Sequence, residues 1–416
     1  SKLPIELNKF KLVLVGKLLP YEKELLDQWI ESFNVDPTRI IRTGFVSDSI
    51  LVSLYRKCSL FVFPSLHEGF GLPVLEAMCS GAPVIGSNST SIPEVIGLEK
   101  AMFNPKNVDD ITTLIIHALT NNDFNNELKL NSQKQCQKFS WSISSKALID
   151  ACQSIIDKKR VNSVPSNFRL LFLKKEKYLK LLVKKIKKNG LSKLYKDDDF
   201  LAQLAASIDK VTIQIDSYIR DLSYCYDLSS WRVEGPFDSS YSLSILNRLF
   251  AEALRKRIAL CSIHITEGYG DYAPNIEYLR QYTESYKLYK ESKELSLESD
   301  VVSRNLYPPR VKDMNAKINL LHSYGWEESE FPYEWVSDFN SYLQGITVMS
   351  EQVKKILIDN GVNLPIKVSG LGIDHFTKIK PSIEFKIKAK KFKFLHVSSC
   401  FPRKGIDILL KAFFHS

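Results

Sequence analysis

Short apolar runs alternate with amphipathic stretches along the first 157 residues of this 416-residue chain. KLVLVG (11–16), SLFVFPS (59–65) and APVIGSN (82–88) have the length and apolar character of buried strands, and helical patterns lie between them. Strands that alternate with helices form parallel βαβ units, so the pattern predicts an open, doubly wound parallel sheet. The chain is also too long for a single hydrophobic core, which predicts at least two domains.

A second alternation of strands and helices begins at about residue 211. WRVEG (231–235), INLLHSY (318–324) and GITVMS (345–350) are strand candidates, and SYSLSILNRLFAEALRKR (240–257) is the clearest helix. The pattern predicts a second α/β domain, but it does not indicate the order of strands within the sheet.

Positive charge is concentrated in one segment. Residues 158–196 hold fourteen Lys/Arg and one acid, Glu176, so their local net charge is +13, whereas the whole chain carries +10. Residues 168–188 combine an apolar stripe at helical spacing with a face of lysines. Two interpretations stay open: a solvated helix packed on a domain, or attachment to an anionic membrane surface. A nucleic-acid partner is not expected, because few aromatic residues are interleaved with these cations.

Seven scattered cysteines form no Cys-x-x-Cys motif and no Cys/His pair at metal-ligand spacing. This predicts reduced thiols and neither a metal site nor a disulfide framework. No run approaches the roughly 20 apolar residues that span a bilayer, and no signal peptide is visible. We therefore expect a cytoplasmic protein, either free or peripheral on the inner face of the plasma membrane.

The stretch SLHEGFGLPVLEAM (65–78) combines a strand end, a Gly-x-Gly turn and a helix start. Such a turn at the carboxyl edge of a parallel sheet is the usual crevice for a phosphorylated ligand. Gly69 and Gly71 permit close approach of the backbone, and Pro73 suits the first turn of a helix. The turn alone is a weak indication of a phosphate site.

Two glutamates, Glu68 and Glu76, flank this turn eight positions apart. Carboxylates repel a diphosphate, so they are expected to face hydroxyl groups at its two ends, as in a nucleotide sugar. Glu68 is also placed to stabilise positive charge on an anomeric carbon, as carboxylates do in glycoside chemistry. The alternative is one helix-capping acid and one surface acid.

In its full context the sequence shows a family resemblance. The run from RTGFVSD (42–48) through LYRKCSLFVFPSLHEGFGLPVLEAMCSGAPVIGSNSTSIPEVIG (54–97) resembles the donor domain of retaining GT-B glycosyltransferases of family four, which include bacterial O-antigen and polysaccharide mannosyltransferases. The Glu-x7-Glu element of that family is intact at Glu68 and Glu76.

The resemblance implies a role for each part of the stretch. Glu68 would be catalytic, and Glu76 would bind the ribose. The sugar and phosphate would also contact the backbone of Gly69, Phe70, Gly71 and Leu72. The resemblance further implies retention of anomeric configuration and independence from a metal. The co-substrate would be GDP-mannose or a UDP-sugar, and no bound cofactor is expected.

The second half resembles the acceptor-side domain of the same family, in WRVEGPFDSSYSLSILNRLFAEAL (231–254) and INLLHSYGWEESEFP (318–332). The loop implied to open the interdomain cleft consists of Gly235, Pro236 and Phe237. His322 matches a position where the family often places a histidine near the sugar, which implies a catalytic role. A lone histidine after a buried strand is also often a packed core residue, so both interpretations stay open.

The order of the two halves is reversed relative to the family, and the donor-like half lacks its opening strand and helix. The segment KFKFLHVSSCFPRKGIDILLKAFFHS (391–416) resembles that missing unit, and its Arg403 and Lys404 would neutralise the donor diphosphate. We expect this segment to dock on the first domain as a parallel strand and helix, because unpaired backbone groups and apolar faces need partners. The chain is interpreted as a fragment of a tandem two-module enzyme, with natural circular permutation as the alternative.

The predicted fold is therefore α/β, with two Rossmann-like doubly wound parallel-sheet domains in a permuted GT-B order. The predicted parts are a donor domain lacking its first βα unit (1–157), a basic helical linker (158–210), an acceptor-side domain (211–390) and the first βα unit of a donor domain (391–416).

The predicted function is that of a retaining, metal-independent hexosyltransferase. It would move a sugar, with mannose as the best guess, from a nucleotide-diphosphate sugar to a growing surface polysaccharide or lipid-linked glycan. The alternative is a non-catalytic glycan-binding or assembly module docked to the membrane through the basic helix. The intact Glu68, Gly69, Gly71 and Glu76 favour the enzyme.

Overall fold

The fold was obtained as a computed structural model. It describes residues 10–162, 230–295, 299–385, 394–397 and 402–414, with a few positions between 203 and 211. The predicted α/β class with two doubly wound domains is confirmed, since the described strands form two sheets that are mainly parallel. The predicted basic helix at 168–188 lies outside the described residues.

The first sheet contains only parallel pairs among its described strands. Its strands are β1 (Leu12–Val15), β2 (Ile40–Gly44), β3 (Leu60–Phe63), β4 (Val84–Ser87), β5 (Met102–Phe103) and β13 (Phe394–Val397). Their spatial order is β2-β1-β13-β3-β4-β5. Strands β1 and β3 are buried along their whole length, as expected for apolar strands covered on both faces.

Strand β13 follows all the other described strands along the chain, yet it lies between β1 and β3. Leu395 pairs with Val13 on one side and with Phe61 on the other, in parallel register. The expected docking on the first domain as a parallel strand is thus confirmed for the described residues 394–397. The insertion supplies hydrogen-bond partners to backbone groups on the facing edges of β1 and β3.

Helices cover this sheet and anchor the docked segment. They are α1 (Pro20–Ser32), α2 (Asp48–Lys57), α3 (Leu72–Cys79), α4 (Ile92–Ile96), α5 (Val108–Thr120), α6 (Asn122–Cys136) and α13 (Ile406–Phe414). Helix α13 packs on α1 and α5 and buries Leu409, Leu410 and Phe413. The Thr112 hydroxyl of α5 donates a hydrogen bond to the Ala412 carbonyl at 3.0 Å. The helix of the docked segment, like its strand, belongs to the core of the first domain.

The second domain has its own sheet. Its strands are β6 (Ser230–Gly235), β7 (Leu260–Glu267), β8 (Gly270–Asp271), β9 (Val301–Arg304), β10 (Ile318–Tyr324), β11 (Gly345–Val348) and β12 (Ile366–Val368). Their order is β12-β11-β10-β9-β6-β7-β8. The short β8 runs antiparallel to β7, a hairpin that the alternating pattern does not predict. The helices around this sheet are α8 (Ser242–Arg255), α9 (Ile276–Leu279), α10 (Thr283–Ser292), α11 (Tyr333–Tyr342) and α12 (Glu351–Asp359).

Helix α7 (Trp141–Asn162) runs from the first domain into the core of the second, where it packs on α8 and β11. Arg257 donates to the Ser142 hydroxyl at 2.8 Å. The approach to β11 is close, because a Cβ added to Gly345 would lie 2.9 Å from Ile155 Cδ1. The predicted domain boundary at residue 157 therefore falls inside this helix.

Replacing Leu409 by Ala tests the contribution of the docked segment to stability. Leu409 is fully buried, so the free energy of unfolding should fall by about 2–5 kcal/mol. Leu130 on α6 is 65% exposed, and Leu130→Ala serves as the matched control with a change below about 0.5 kcal/mol. Urea unfolding of both variants measures the difference. Equal stabilities for the two variants would contradict the docking of α13.

Candidate active site

The turn between β3 and α3 is built on two glycines whose nearest neighbours are protein atoms. Gly71 has a φ of +96°, and a Cβ there would lie 2.6 Å from Ile92 Cδ1. A Cβ on Gly69 would lie 3.0 Å from the carbonyl oxygen of Trp326 in the second domain. The left-handed backbone at Gly71 favours glycine, and a side chain at Gly69 would press on the Trp326 carbonyl. The predicted approach of their backbone to a ligand stays a prediction.

Glu68 is buried and ion-paired. Its side chain is 5% exposed, and its Oε1 accepts hydrogen bonds from Lys404 Nζ at 2.5 Å and from the Ser65 hydroxyl at 2.8 Å. Burial follows because the turn after β13 covers the loop after β3. A buried carboxylate such as that of Glu68 has lost its hydration, so it needs a cation as partner, and Lys404 is that cation.

Arg403, next to Lys404, contacts residues of both domains. Its carbonyl oxygen accepts a hydrogen bond from the Leu66 amide at 2.7 Å, and its guanidinium donates to the His67 carbonyl at 3.3 Å. The guanidinium also forms an ion pair with Glu327 of the second domain. The structure therefore brings Arg403 and Lys404 to the Glu68 loop, as the sequence predicts, and their contact with a diphosphate stays a prediction.

A cavity of about 960 Å³ lies between the two domains. The first domain lines it with the ends of β1, the start of α2 and the first turns of α3, including Leu72 and Glu76. The second domain lines it with α8, with Tyr241 before that helix, and with the start of α10. Glu68 and Lys404 are not among the lining residues. The cavity has the size and interdomain position typical of small-molecule sites.

The side chain of Glu76 is partly buried and lines the cavity. Its carboxylate accepts a hydrogen bond from the Tyr55 hydroxyl at 3.1 Å. The pKa of Glu76 is raised to about 7, mainly by burial; the Tyr55 hydrogen bond opposes the rise, and the nearby negative charge of Asp48 contributes to it. Glu76 thus changes charge near neutral pH while it lines the cavity.

The loop predicted to open the cleft is fixed by two side chains of α8. A Cβ on Gly235, whose φ is +149°, would lie 2.3 Å from Asn247 Nδ2, and that amide donates to the Pro236 carbonyl at 3.0 Å. The Arg248 guanidinium donates to the carbonyl of the buried Phe237 at 2.5 Å. The three loop residues do not line the cavity, but Arg248, which holds the Phe237 carbonyl, does.

His322 lies inside the second domain. Its side chain is 0% exposed, stacks on Phe250 with ring centroids 4.4 Å apart, and shares a 2.9 Å hydrogen bond between Nε2 and Asn247 Oδ1. Burial lowers the pKa of His322 to about 3, so the imidazole is neutral near pH 7. His322 does not line the cavity, but Asn247 links it to the Pro236 carbonyl. Its catalytic role stays a prediction.

Further polar contacts join the two domains at the loop between β3 and α3 (residues 64–71), which the sequence predicts to bind the donor and which is called the donor loop. The Ser350 hydroxyl donates to the Gly69 carbonyl at 2.7 Å. The Glu94 carboxylate accepts the first two backbone N–H groups of α12, from Glu351 at 2.9 Å and Gln352 at 3.1 Å, which suits the positive end of a helix. Sequence reasoning missed these residues; Ser350 before an apolar helix indicates a helix cap, but a cap does not reveal a contact in another domain.

Two negative findings apply to the described part of the chain. Within it, no helix combines the length and apolar character that crossing a membrane requires. Three or more His, Cys, Asp or Glu side chains grouped as for a metal ion are absent from the same residues.

Comparisons with known proteins point to one class of enzyme. Residues 1–135 match the family model described as "Glycosyl transferases group 1". The chain is 46% identical over 161 residues to "Serotype-specific mannosyltransferase WbdA" of Escherichia coli, covering 38% of this chain and 20% of that protein. It is 36% identical over 150 residues to "O-antigen chain mannosyltransferase B" of the same organism, covering 36% of this chain and 39% of that protein.

These matches cover part of each protein. The chain spans about a fifth of the length of the WbdA protein. The family match includes Glu68 and Glu76 but neither His322 nor Lys404. No solved structure matches the chain. The comparisons support a glycosyltransferase of the GT-B type.

Glu76 should give folding stability a pH dependence. The pKa of about 7 lies above the ordinary value of 4.5, so the folded state holds this proton more tightly than the unfolded state. The free energy of unfolding should therefore fall as pH rises from about 4.5 to about 7. Glu76→Gln should remove this component, which amounts to at most about 3 kcal/mol at 1.36 kcal/mol per pKa unit.

Urea unfolding at pH 5 and pH 8 measures this effect. The exposed Glu99 supplies the control, Glu99→Gln, which should keep the wild-type pH profile. Parallel profiles for wild type and Glu76→Gln would show that Glu76 has no raised pKa.

Proposed function

We propose that this chain is part of a retaining, metal-independent glycosyltransferase that moves mannose from GDP-mannose to a growing surface polysaccharide or lipid-linked glycan. The observation that carries the proposal is the interdomain cavity, which Glu76 and the first turns of α3 line on one side and α8 and α10 line on the other. Two relatives are named as mannosyltransferases, and one of them as an O-antigen chain enzyme; these names support the proposed sugar and acceptor.

The donor diphosphate would lie at the N-terminus of α3, where the helix dipole favours negative charge. Lys404 and Arg403 would supply the cations, since both lie on the turn that covers this loop. As the bond to the sugar breaks, negative charge grows on the leaving diphosphate, and fixed cations and backbone N–H groups stabilise it.

Binding of the donor would have to break the ion pair between Lys404 and Glu68. A diphosphate competes with Glu68 for the Lys404 ammonium, because both are anions that need the same cation. Once Lys404 turns to the diphosphate, Glu68 has an oxygen available for sugar hydroxyls and for the positive charge of an oxocarbenium-like transition state. Glu76 would accept hydrogen bonds from the ribose at the other end of the ligand.

The acceptor would enter from the second domain, beside Gly235, Pro236 and Phe237. Asn247 and Arg248 hold the backbone of this loop, so the wall facing the sugar is rigid before the acceptor arrives. His322 would act at this wall through the same Asn247.

The proposal is tested by incubating the chain with GDP-mannose and an α-mannose oligosaccharide. GDP release and a product one mannose larger by mass spectrometry are the expected results, with retained configuration by NMR. Absence of transfer, together with no thermal stabilisation by GDP-, UDP- or ADP-sugars, would overturn it.

Glu68→Gln tests the catalytic role without creating a large cavity. Glutamine keeps an oxygen for Ser65 and Lys404, but it lacks the negative charge that stabilises the transition state. We expect kcat to fall by about 10²-fold or more, whereas the KM for the donor changes little. Urea unfolding of the variant separates this loss from a loss of folded protein.

Glu99→Gln on the exposed surface of the same domain should leave turnover unchanged. A Glu68→Gln enzyme with near-wild-type turnover would show that Glu68 is not catalytic.

The basic segment at 158–196 is proposed to attach the protein to anionic membranes. Each lysine near such a surface contributes about 1 kcal/mol, and salt screens the attraction. The test variant changes six lysines to Ser: Lys174, Lys175, Lys184, Lys185, Lys187 and Lys188. It should lose binding to phosphatidylserine vesicles at low salt in a sedimentation assay.

The charge-matched control changes six lysines outside the segment: Lys23, Lys106, Lys129, Lys256, Lys287 and Lys378. Equal vesicle binding by both variants would rule out a specific role of the segment.

A further inference from the structure

Two free thiols meet where helices α3 and α6 end in the first domain. Cys79 is the last residue of α3, and Cys136 is the last residue of α6. The two helices pack against each other, and the two thiols share a hydrogen bond. Both residues are half-buried, so part of the pair stays open to small molecules in solution.

A second contact holds the two helix ends beside each other. Ser132 lies one turn before Cys136 on α6, and its side chain is buried. Its hydroxyl donates a hydrogen bond to the Ala82 carbonyl at 2.8 Å, just beyond the end of α3. Residues four apart share one face of a helix, so Ser132 and Cys136 both face the end of α3. The packing of the first domain therefore keeps the two sulfur atoms close.

The hydrogen bond between the thiols makes their reactivity unequal. It is the main cause that lowers the pKa of Cys136 to about 7, although burial opposes the shift. It also raises the pKa of Cys79, as do burial and the negative charges of Glu76 and Asp374. A thiolate is the nucleophile in thiol–disulfide exchange, so at neutral pH Cys136 reacts first and Cys79 follows as the second thiol.

We propose that Cys79 and Cys136 form a reversible disulfide, with a small disulfide such as glutathione disulfide as the oxidant. The Cys136 thiolate attacks one sulfur of glutathione disulfide, whose S–S bond breaks, so a mixed disulfide forms and one glutathione thiolate leaves. Cys79 then loses its proton and attacks the Cys136 sulfur, and the second glutathione thiolate leaves. Both leaving thiolates take up protons. Two protein thiols are thus oxidised by two electrons, and glutathione disulfide is reduced to two molecules of glutathione.

The disulfide would act on the helix that lines the cavity. Glu76 lies one turn before Cys79 on α3 and is one of the lining residues. A disulfide bond is about 2.05 Å long, which is shorter than any hydrogen bond between thiols. Its formation therefore draws the end of α3 toward the end of α6. Oxidation would fasten the two helices together, and reduction would release them.

Incubating the whole chain with glutathione disulfide at pH 7 tests the proposal. The remaining thiols are then alkylated, and the chain is digested with trypsin without a reductant. Mass spectrometry should find residues 58–100 linked to residues 135–138, since trypsin cleaves after Lys57, Lys100, Lys134 and Lys138. Dithiothreitol should separate the two peptides.

Two variants separate the roles of the thiols. Cys79→Ser removes the second thiol but keeps a hydroxyl that can donate to the Cys136 sulfur, so a mixed disulfide with one glutathione should accumulate on Cys136. Cys136→Ser removes the reactive thiolate, and Cys79 should then take up glutathione roughly fivefold more slowly at pH 7. Urea unfolding under reducing conditions shows whether each variant is folded.

The control variants are Cys225→Ser and Cys400→Ser, which change two cysteines outside the described residues. Both should form the same linked peptides as wild type. Glutathione that stays on Cys136 of wild type without a link to Cys79 would overturn the proposal, because the two sulfurs would then be unable to close. A Cys136 that does not react at all would also overturn it. A link that survives Cys79→Ser would assign the disulfide to Cys58, which lies in the same peptide.

Discussion

The ion pair between Lys404 and Glu68 connects the fold of this protein to its candidate chemistry. Lys404 reaches Glu68 only because β13 lies between β1 and β3, so the cation depends on a strand pairing that closes over more than 300 residues. Removing one partner of a buried ion pair leaves an uncompensated charge and typically costs about 3–5 kcal/mol. The same pairing that completes the sheet therefore also fixes the charge balance of the donor loop.

The donor loop is held from the second domain as well. Ser350 donates to the Gly69 carbonyl, and the Trp326 carbonyl would lie only 3.0 Å from a Cβ at Gly69. Glu94 meets the N-terminus of α12 across the same interface. These contacts join the loop to the second domain in addition to the packing of α7. A movement of one domain would move the Gly69 backbone with it.

Local sequence patterns predicted the elements that are apolar and regular. KLVLVG and SLFVFPS became β1 and β3, because a buried strand in a parallel sheet is apolar on both faces. Helix α6 escaped prediction, since NDFNNELKLNSQKQC is mostly polar and Phe124 and Leu128 are its buried apolar residues. The hairpin between β7 and β8 was not predicted, because a strand of two residues is too short to show an alternation of apolar and polar side chains. The docking of 391–416 was predicted because the donor-like half lacks its opening strand and helix. That reasoning concerns the whole sheet and not a local pattern.

The candidate site was predictable in its residues and less so in its contacts. Glu68, Glu76 and Lys404 stand out by spacing and family resemblance, but burial of Glu68 depends on a partner 336 positions away. The link from His322 through Asn247 to Pro236 joins three separate elements. Such hydrogen bonds leave no local pattern in a sequence, because any polar residue at these positions looks like a surface residue until the fold places it.

The position of β13 also determines when each half of the molecule is finished during synthesis. Roughly 330 residues separate the end of β3 from the start of β13, and a ribosome adding about 5–20 residues per second needs roughly 20–70 s for them. Pairing of β13 with β1 and β3 can form only after this interval. The second sheet, whose strands all lie between Ser230 and Val368, has every strand available earlier. Along this sequence, the strand that joins β1 to β3 therefore follows every described strand of the second sheet.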